Sequence, residues 1–386
     1  MPDHKDGLSA STRMYLPMTN YVHGILTFRS ILDDLQSSVP SDLPDLREAV
    51  NHLSPLDLKT QICFYTGGAE QRVGVQDTPE TPCLRANRPK LRRWLATDVP
   101  IQWSKQLLRI EDTDAGQVTP VFADGTSATG DILVGADGVN STVREHLLQR
   151  ANSDMLNVVP TATIIGDVRL SGAAMERQLA LGHSCYIASP GSSSRTFVGL
   201  QQVSPDGKSG DYYWFHMEDD AGVGKPGHWL QTASREDKLA YVRKALAPFD
   251  PQLREIVELT TADGIRDEEF VYRDSEISSV PRGRIALLGD AIHPMTPFRG
   301  EGGVHAMRDA LSLAKVLSSA SSEPSVGLAE SIAKYHDEVA ERGVAAVQKS
   351  RGANRYDGEG ETPRMFAWGS VAVPLPPETI KLSDHL

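Results

Sequence analysis

Two continuous apolar runs, each ending in Gly and Asp, organise the chain. Ile132-Leu133-Val134 leads into Gly135-Ala136-Asp137-Gly138, and Ile285-Ala286-Leu287-Leu288 leads into Gly289-Asp290. An aliphatic run bounded by turn residues, without alternation, predicts a strand buried on both faces. Upstream of the first, LLRIED and VTPVFADG read as two further strands, with Asp124-Gly125 as a tight turn. After the second comes PMTPFRGEGG, then a helical pattern in which Met307, Ala310, Leu311, Ala314 and Leu317 recur at spacings of three and four. The order there is strand, glycine loop, helix.

Between the two runs, residues 151–275 alternate β-rich stretches (TATIIGDVRL, SCYIAS, RTFVGLQQV, DYYWFHM) with Gly, Ser and Pro turns, and one helix, SREDKLAYVRKAL, interrupts them. The simplest architecture is α/β, with a largely antiparallel sheet inserted between α/β segments. From Ala329 the chain reads as a helix with Ala333 and Ala340 available for close packing, while residues 352–386, rich in Gly, Pro and charge, are expected to pack loosely. The predicted divisions are 1–150, 151–275, 276–350 and a tail over 351–386.

Composition narrows the class. Of 386 residues, 40% are apolar and 23% charged, which excludes collagen, coiled coil and a disordered polymer and predicts a soluble globular protein. Acidic residues outnumber basic ones 51 to 39, giving a net charge of −12 without a Lys/Arg run, so no nucleic-acid partner is expected. Cys63, Cys83 and Cys185 are odd in number and far apart, which fits neither a disulfide framework nor a metal site and points to a reducing compartment. No signal-peptide core and no run near the roughly 20 apolar residues of a membrane helix occurs, so no membrane partner and a cytoplasmic location are expected.

Three stretches carry a resemblance. Asp131-Ile-Leu-Val-Gly-Ala-Asp137-Gly138-Val-Asn-Ser141-Thr-Val-Arg144 is one. Gly289-Asp290-Ala-Ile-His293-Pro294, continued by Pro297-Phe-Arg-Gly300-Glu301-Gly302-Gly303, is the second, and Arg88-Pro-Lys-Leu91 is the third and least specific. Together they resemble the DG motif, the GD motif with its flavin-side loop, and the arginine-plus-leucine signal of the FAD-dependent aromatic hydroxylases. These are flavoprotein monooxygenases with the para-hydroxybenzoate hydroxylase fold, and the likeness is strongest to their fungal secondary-metabolism branch. It spans about residues 20–350. It implies a Rossmann-like FAD-binding domain with an inserted antiparallel substrate domain and C-terminal helices.

The chemistry of the residues agrees with what the resemblance implies for them. An Asp at the end of a parallel strand aims its carboxylate into the ligand crevice of a doubly wound sheet, where Asp290 would accept ribitol hydroxyls; without the resemblance it reads as a turn cap. Gly300, Gly302 and Gly303 let backbone approach a planar ring, and the following helix points its positive end there, suiting an anionic reduced flavin. Asp137 would lie at the flavin pyrophosphate and the nicotinamide reductant, with Arg144 pairing with a carboxylate or carbonyl to hold that loop. Arg88 would clamp phosphates bidentately, against the alternative of a solvated charge at a helix start. His293 is a candidate general base, ranked below a structural role because the flavin carries this chemistry. Arg299, Glu301 and His305 are candidates to line the pocket; Glu301 stands where many relatives have Gln, and Val304 where Asn is common. Tyr212, Tyr213 and Trp214 read as sheet packing that can reach the substrate.

A complete member opens with a strand, GxGxxG and a helix, and this sequence contains no such unit: residues 1–60 hold only Gly7 and Gly24. The expectation is therefore an N-terminally incomplete cofactor domain. The leading reading is an FAD-dependent monooxygenase that uses NADPH or NADH and dioxygen to hydroxylate or epoxidise an aromatic or polyketide-like small molecule. The alternatives are a redox-independent cyclase, isomerase or hydrolyase on the same scaffold, or an inactive truncated homologue.

Overall fold

A seven-stranded mixed sheet and a separate parallel pair of strands frame the site. A computed structural model describes residues 10–11, 25–112, 116–189, 194–322, 327–353 and 372–386. In chain order the principal strands are β1 Gln61–Tyr65, β2 Arg72–Gln76, β3 Leu133–Gly135, β4 Thr161–Ser171, β5 Cys185–Ala188, β6 Arg195–Val203, β7 Ser209–Asp219, β8 Ile285–Leu287 and β9 Val373–Pro374. The principal helices are α1 Arg88–Leu95, α2 Thr142–Leu148, α3 Gly172–Leu181, α4 Arg235–Ala245, α5 Pro251–Leu259, α6 Gly302–Ser322 and α7 Leu328–Gly352.

Seven strands pair in the order β4-β7-β6-β5-β1-β2-β9. All neighbours are antiparallel except β5 and β1, which run parallel. Side chains alternate along β7, so consecutive aromatics serve opposite faces. Tyr212 and Trp214 pack with Met175, Leu179, Leu239, Val242, Leu253 and Ile256, the inward residues of α3, α4 and α5. Tyr213, Phe215 and Met217 belong to the other face, with Phe64, Ile187 and Phe298. Gly166 on β4 stands opposite Trp214, and a Cβ there would lie 2.3 Å from the indole, so only glycine admits the ring.

The two apolar runs form a parallel pair, β3 beside β8, with Gly135 opposite Leu287. Helix α7 covers the other edge of β8: His336 Nε2 accepts the Leu287 N–H at 3.1 Å and the Tyr335 hydroxyl donates to the Leu287 carbonyl at 2.9 Å. Burial lowers His336 to about 4, keeping the imidazole neutral and able to accept. Leu313, Ile332 and Val339 complete the core against which the pair sits.

Four sequence expectations are corrected. Strand β3 is not buried on both faces: Val134 is 37% exposed, and among the described residues β3 pairs in a sheet of only two strands, with β8. Four α-helices, not one, interrupt residues 151–275: a short one over Asn152–Met155 besides α3, α4 and α5; α3 is built from strong helix formers directly after β4, and α5 starts on Pro251, a residue preorganised for the first helical turn. On α6 the buried residues are Val304, Asp309 and Leu313, whereas Ala310 and Ala314 are exposed; a buried carboxylate within the inward face shifted the apparent stripe. Finally, the described part of the tail, residues 372–386, is anchored at a few points, while residues 354–371 lie outside the described residues. Strand β9 extends the sheet, Ile380 and Leu382 enter the core beneath α3, and Glu378 meets Arg72 and His183.

Candidate functional site

Because β3 and β8 run parallel, the loops that follow them emerge at the same end, where an open α/β sheet binds its ligand. Arg144 ties the two loops together. Its fully buried guanidinium donates through Nη1 to the carbonyls of Asp290 (3.3 Å) and Ala291 (3.1 Å), and through Nη2 to Val139 O and Asn152 Oδ1. The sequence expectation of a carbonyl partner for Arg144 is met by the second loop itself. Asp137, by contrast, works inside its own loop: its carboxylate accepts from the Ser141 hydroxyl and, at 3.1 Å, from the Val143 N–H at the start of α2. Ser141 caps that helix by accepting from the Arg144 N–H at 2.9 Å.

The second loop turns on Gly289, whose φ of +60° favours glycine and where a Cβ would come within 3.1 Å of Ala306 on α6. Asp290 follows. Its side chain is exposed, yet it sits deep enough in protein that desolvation raises its carboxyl above the ordinary range, against the opposing charges of His293, Arg88 and Arg144. An exposed acidic residue directly after a parallel strand stands where an open α/β sheet binds its ligand. Arg88, exposed at the first turn of α1 beneath its cap Asn87, is near enough for its charge to act on Asp290.

Gly300 ends the Pro297–Arg299 turn with φ +66°, and α6 begins at Gly302. A Cβ on Gly302 would stand 4.0 Å from Asp290 Oδ1 and 3.8 Å from Met295 Cγ, so the missing side chain leaves a hollow beside the carboxylate. Gly303 continues the first turn, whose N–H groups have no intrahelical partner. Arg299 and Glu301 pair with each other at 2.7 Å, both largely buried, just before this helix start. His293 and His305 turn the other way. His293 is 2% exposed, donates from Nε2 to Asp309 at 2.7 Å, and packs so closely on α7 that a Cβ at Gly343 would lie 2.8 Å from it. His305 accepts from Arg342 at 3.3 Å through Nδ1, so its proton resides on Nε2; burial and the charges of His293 and Arg342 lower it to about 4.

The sheet's second face lies across from this loop. Phe298 joins the face directly, with Tyr272 edge-on at 5.5 Å and the guanidinium of nearly buried Arg195 at 5.4 Å from its ring centre. Phe197, Tyr213 and Phe215 stack alongside, and Arg85 donates to the Tyr213 hydroxyl at 2.6 Å. Tyr213 thus belongs to the site-facing side, while Tyr212 and Trp214 belong to the helix-covered one. Sequence reading missed Asp309, Arg342, Arg195 and Phe298. For Asp309 a signal was present: it lies four and seven residues after His305 and Gly302, on the helix face that meets the glycine loop.

This donor set fits the flavin half of FAD. The Asp290 carboxylate suits ribityl hydroxyls, the glycine hollow and free N–H groups at the start of α6 suit an anionic ring edge, and Arg88 suits phosphate.

Comparison with known proteins agrees with that fit. A family model described as "FAD binding domain" matches residues 60–350. The chain is 46% identical over 331 residues to the FAD-dependent monooxygenase thnD of Trichoderma harzianum, covering 84% of this chain and 82% of the relative. It is 28% identical over 299 residues to the FAD-dependent monooxygenase aptC of Emericella nidulans, covering 72% and 70%. In fold it is similar to the crystal structure of Klebsiella pneumoniae HpxO complexed with FAD and uric acid, with a TM-score of 0.67 at 21% identity over 94% of this chain and 85% of that one.

Proposed function

The chain belongs to the FAD-binding-domain family of FAD-dependent monooxygenases, and from that premise we propose that it hydroxylates or epoxidises an aromatic or polyketide-like small molecule of secondary metabolism, with NADPH or NADH as reductant and dioxygen as oxidant. FAD, when bound and reduced, supplies the activation of oxygen. The chain's own residues bind, orient and enclose. Asp290 accepts the ribityl hydroxyls, Gly300, Gly302 and Gly303 admit the ring edge to the start of α6, and Arg88 meets phosphate. Asp137 shapes the adjoining loop through its bonds to Ser141 and Val143, and Arg144 fixes that loop to the Asp290 loop. The substrate lies beside the loop that carries Phe298, with Arg299 and Glu301 at its edge. His293 holds the Asp290 loop, since its ring is packed against Asp309 and Gly343.

The observation that carries this reading is Asp290, exposed directly after a parallel strand and beside Gly302 at the start of α6. A cytoplasmic setting accords with three buried free thiols. The test is NAD(P)H oxidation by the FAD-supplemented protein with a panel of phenolic polyketides under isotopically labelled dioxygen. Substrate-dependent oxidation with label in the product supports the reading; the same substrate turned over without oxygen and nicotinamide replaces it with a redox-independent one.

A further inference from the structure

Asp309 gathers the Asp290 loop onto helix α6. Its carboxylate is fully buried, and one oxygen, Oδ2, accepts both the Gly289 N–H at 2.8 Å and His293 Nε2 at 2.7 Å. The other, Oδ1, accepts Arg342 Nη2 from α7 at 2.8 Å. Burial alone would raise this carboxyl, but the His293 hydrogen bond and charge, the Gly289 N–H and Arg342 together hold it below the ordinary carboxylate range. One carboxylate therefore grips a five-residue loop at both ends, at the backbone of Gly289 and at the ring of His293. The exposed residue between them is Asp290.

The helix period explains why this matters for Asp290. Gly302, Ala306 and Asp309 fall at i, i+4 and i+7, on one face of α6. Gly302 leaves the hollow beside the Asp290 carboxylate, Ala306 meets Gly289, and Asp309 anchors the same loop. The spacing between the Asp290 carboxylate and the first turn of α6 is thus set two turns further along the helix.

We propose that Asp309 is a positioning residue for the cofactor site: it acts through Asp290, holding that carboxylate in register with the start of α6. The proposal rests on the reading that Asp290 binds the flavin. Its test is a double-mutant cycle on FAD affinity, measured by flavin fluorescence quenching on the whole chain, with thermal unfolding of each variant without FAD alongside. Asp290→Ala is expected to raise the FAD Kd roughly ten- to hundredfold, the range for a charge-assisted hydrogen bond. Asp309→Asn is expected to raise it about tenfold, and the double variant to bind no more than about threefold more weakly than Asp290→Ala alone, because the two losses share one cause. His293→Gln keeps the Asp309 charge and the Gly289 bond, slackens only the far end of the loop and is expected to show the same non-additivity at smaller amplitude, which serves if Asp309→Asn does not fold. Multiplicative losses in both cycles would make Asp309 a purely structural residue and overturn the proposal. An unchanged FAD Kd in Asp290→Ala would instead overturn the Asp290 reading, and the proposal with it.

Discussion

The guanidinium of Arg144 donates to the backbone carbonyls of Asp290 and Ala291, at 3.3 and 3.1 Å, from the first turn of helix α2, nearly 150 residues earlier in the chain. The two motifs that stand out in the sequence are therefore one physical object, joined by a buried cation. Replacing Arg144 with Lys keeps the charge but loses the fork that serves four acceptors at once. The expected result is a loss of roughly 2–4 kcal/mol of stability, from buried carbonyls left without donors, with weaker FAD binding. Denaturant unfolding and flavin titration of the variant check both.

Gly166 gives a control remote from the chemistry. A Cβ at this position meets Trp214 ring atoms at 2.3 Å, and the indole is pinned by its N–H bond to Thr260 at 2.9 Å. Gly166→Ala is expected to cost about 1–3 kcal/mol or more by overpacking while leaving FAD affinity in the folded protein within twofold. Unchanged thermal stability would show that Trp214 can move, contrary to this packing.

The C-terminal segment carries a pH signature. Glu378 accepts from His183 at 2.8 Å, Arg72 at 2.9 Å and Gln61 at 3.1 Å, and these partners, His183 foremost, lower its carboxyl to about 2. A carboxyl depressed on folding adds stability above its unfolded value near 4.5 and loses that contribution as pH falls toward 2. Glu378→Gln should accordingly unfold at lower temperature than the parent at pH 7, with the gap narrowing below about pH 4.5. A gap constant from pH 7 to 3 would mean that the carboxylate charge contributes nothing.

The thiols should be inert. Burial raises Cys63 and Cys83 to about 12 and Cys185 to about 11, far above the values of reactive cysteines. Ellman's reagent at pH 8 is expected to label the native protein negligibly within minutes and all three cysteines after denaturation. Fast labelling of the native protein would contradict the burial of these side chains.

Local chemistry was legible where it was written in backbone rules. The Gly-Asp endings of the two aliphatic runs correctly marked paired strands and the loops after them, because aliphatic strands and glycine turns each have a local signature. The aromatic run of β7 read correctly as sheet, and its alternation separates Tyr213 from its neighbours once one face is known to meet Phe298. What stayed hidden depends on contacts distant in sequence. The tail over 352–386 reads as loose because its Gly, Pro and charge carry no period; its described part, 372–386, is held through Glu378 by Arg72 and His183, some 200 to 300 residues away. Asp309 was hidden for the same reason, since a carboxylate on an otherwise inward helix face looks like a break in the stripe until Gly289, His293 and Arg342 are seen around it.

Asp290 and the start of α6 are proposed to hold a flavin. The most direct test is the visible spectrum of the purified chain after incubation with FAD and gel filtration. A flavin band is expected to elute with the protein, with its amplitude strongly reduced in Asp290→Ala. Folded wild-type protein that elutes with no flavin band would contradict it.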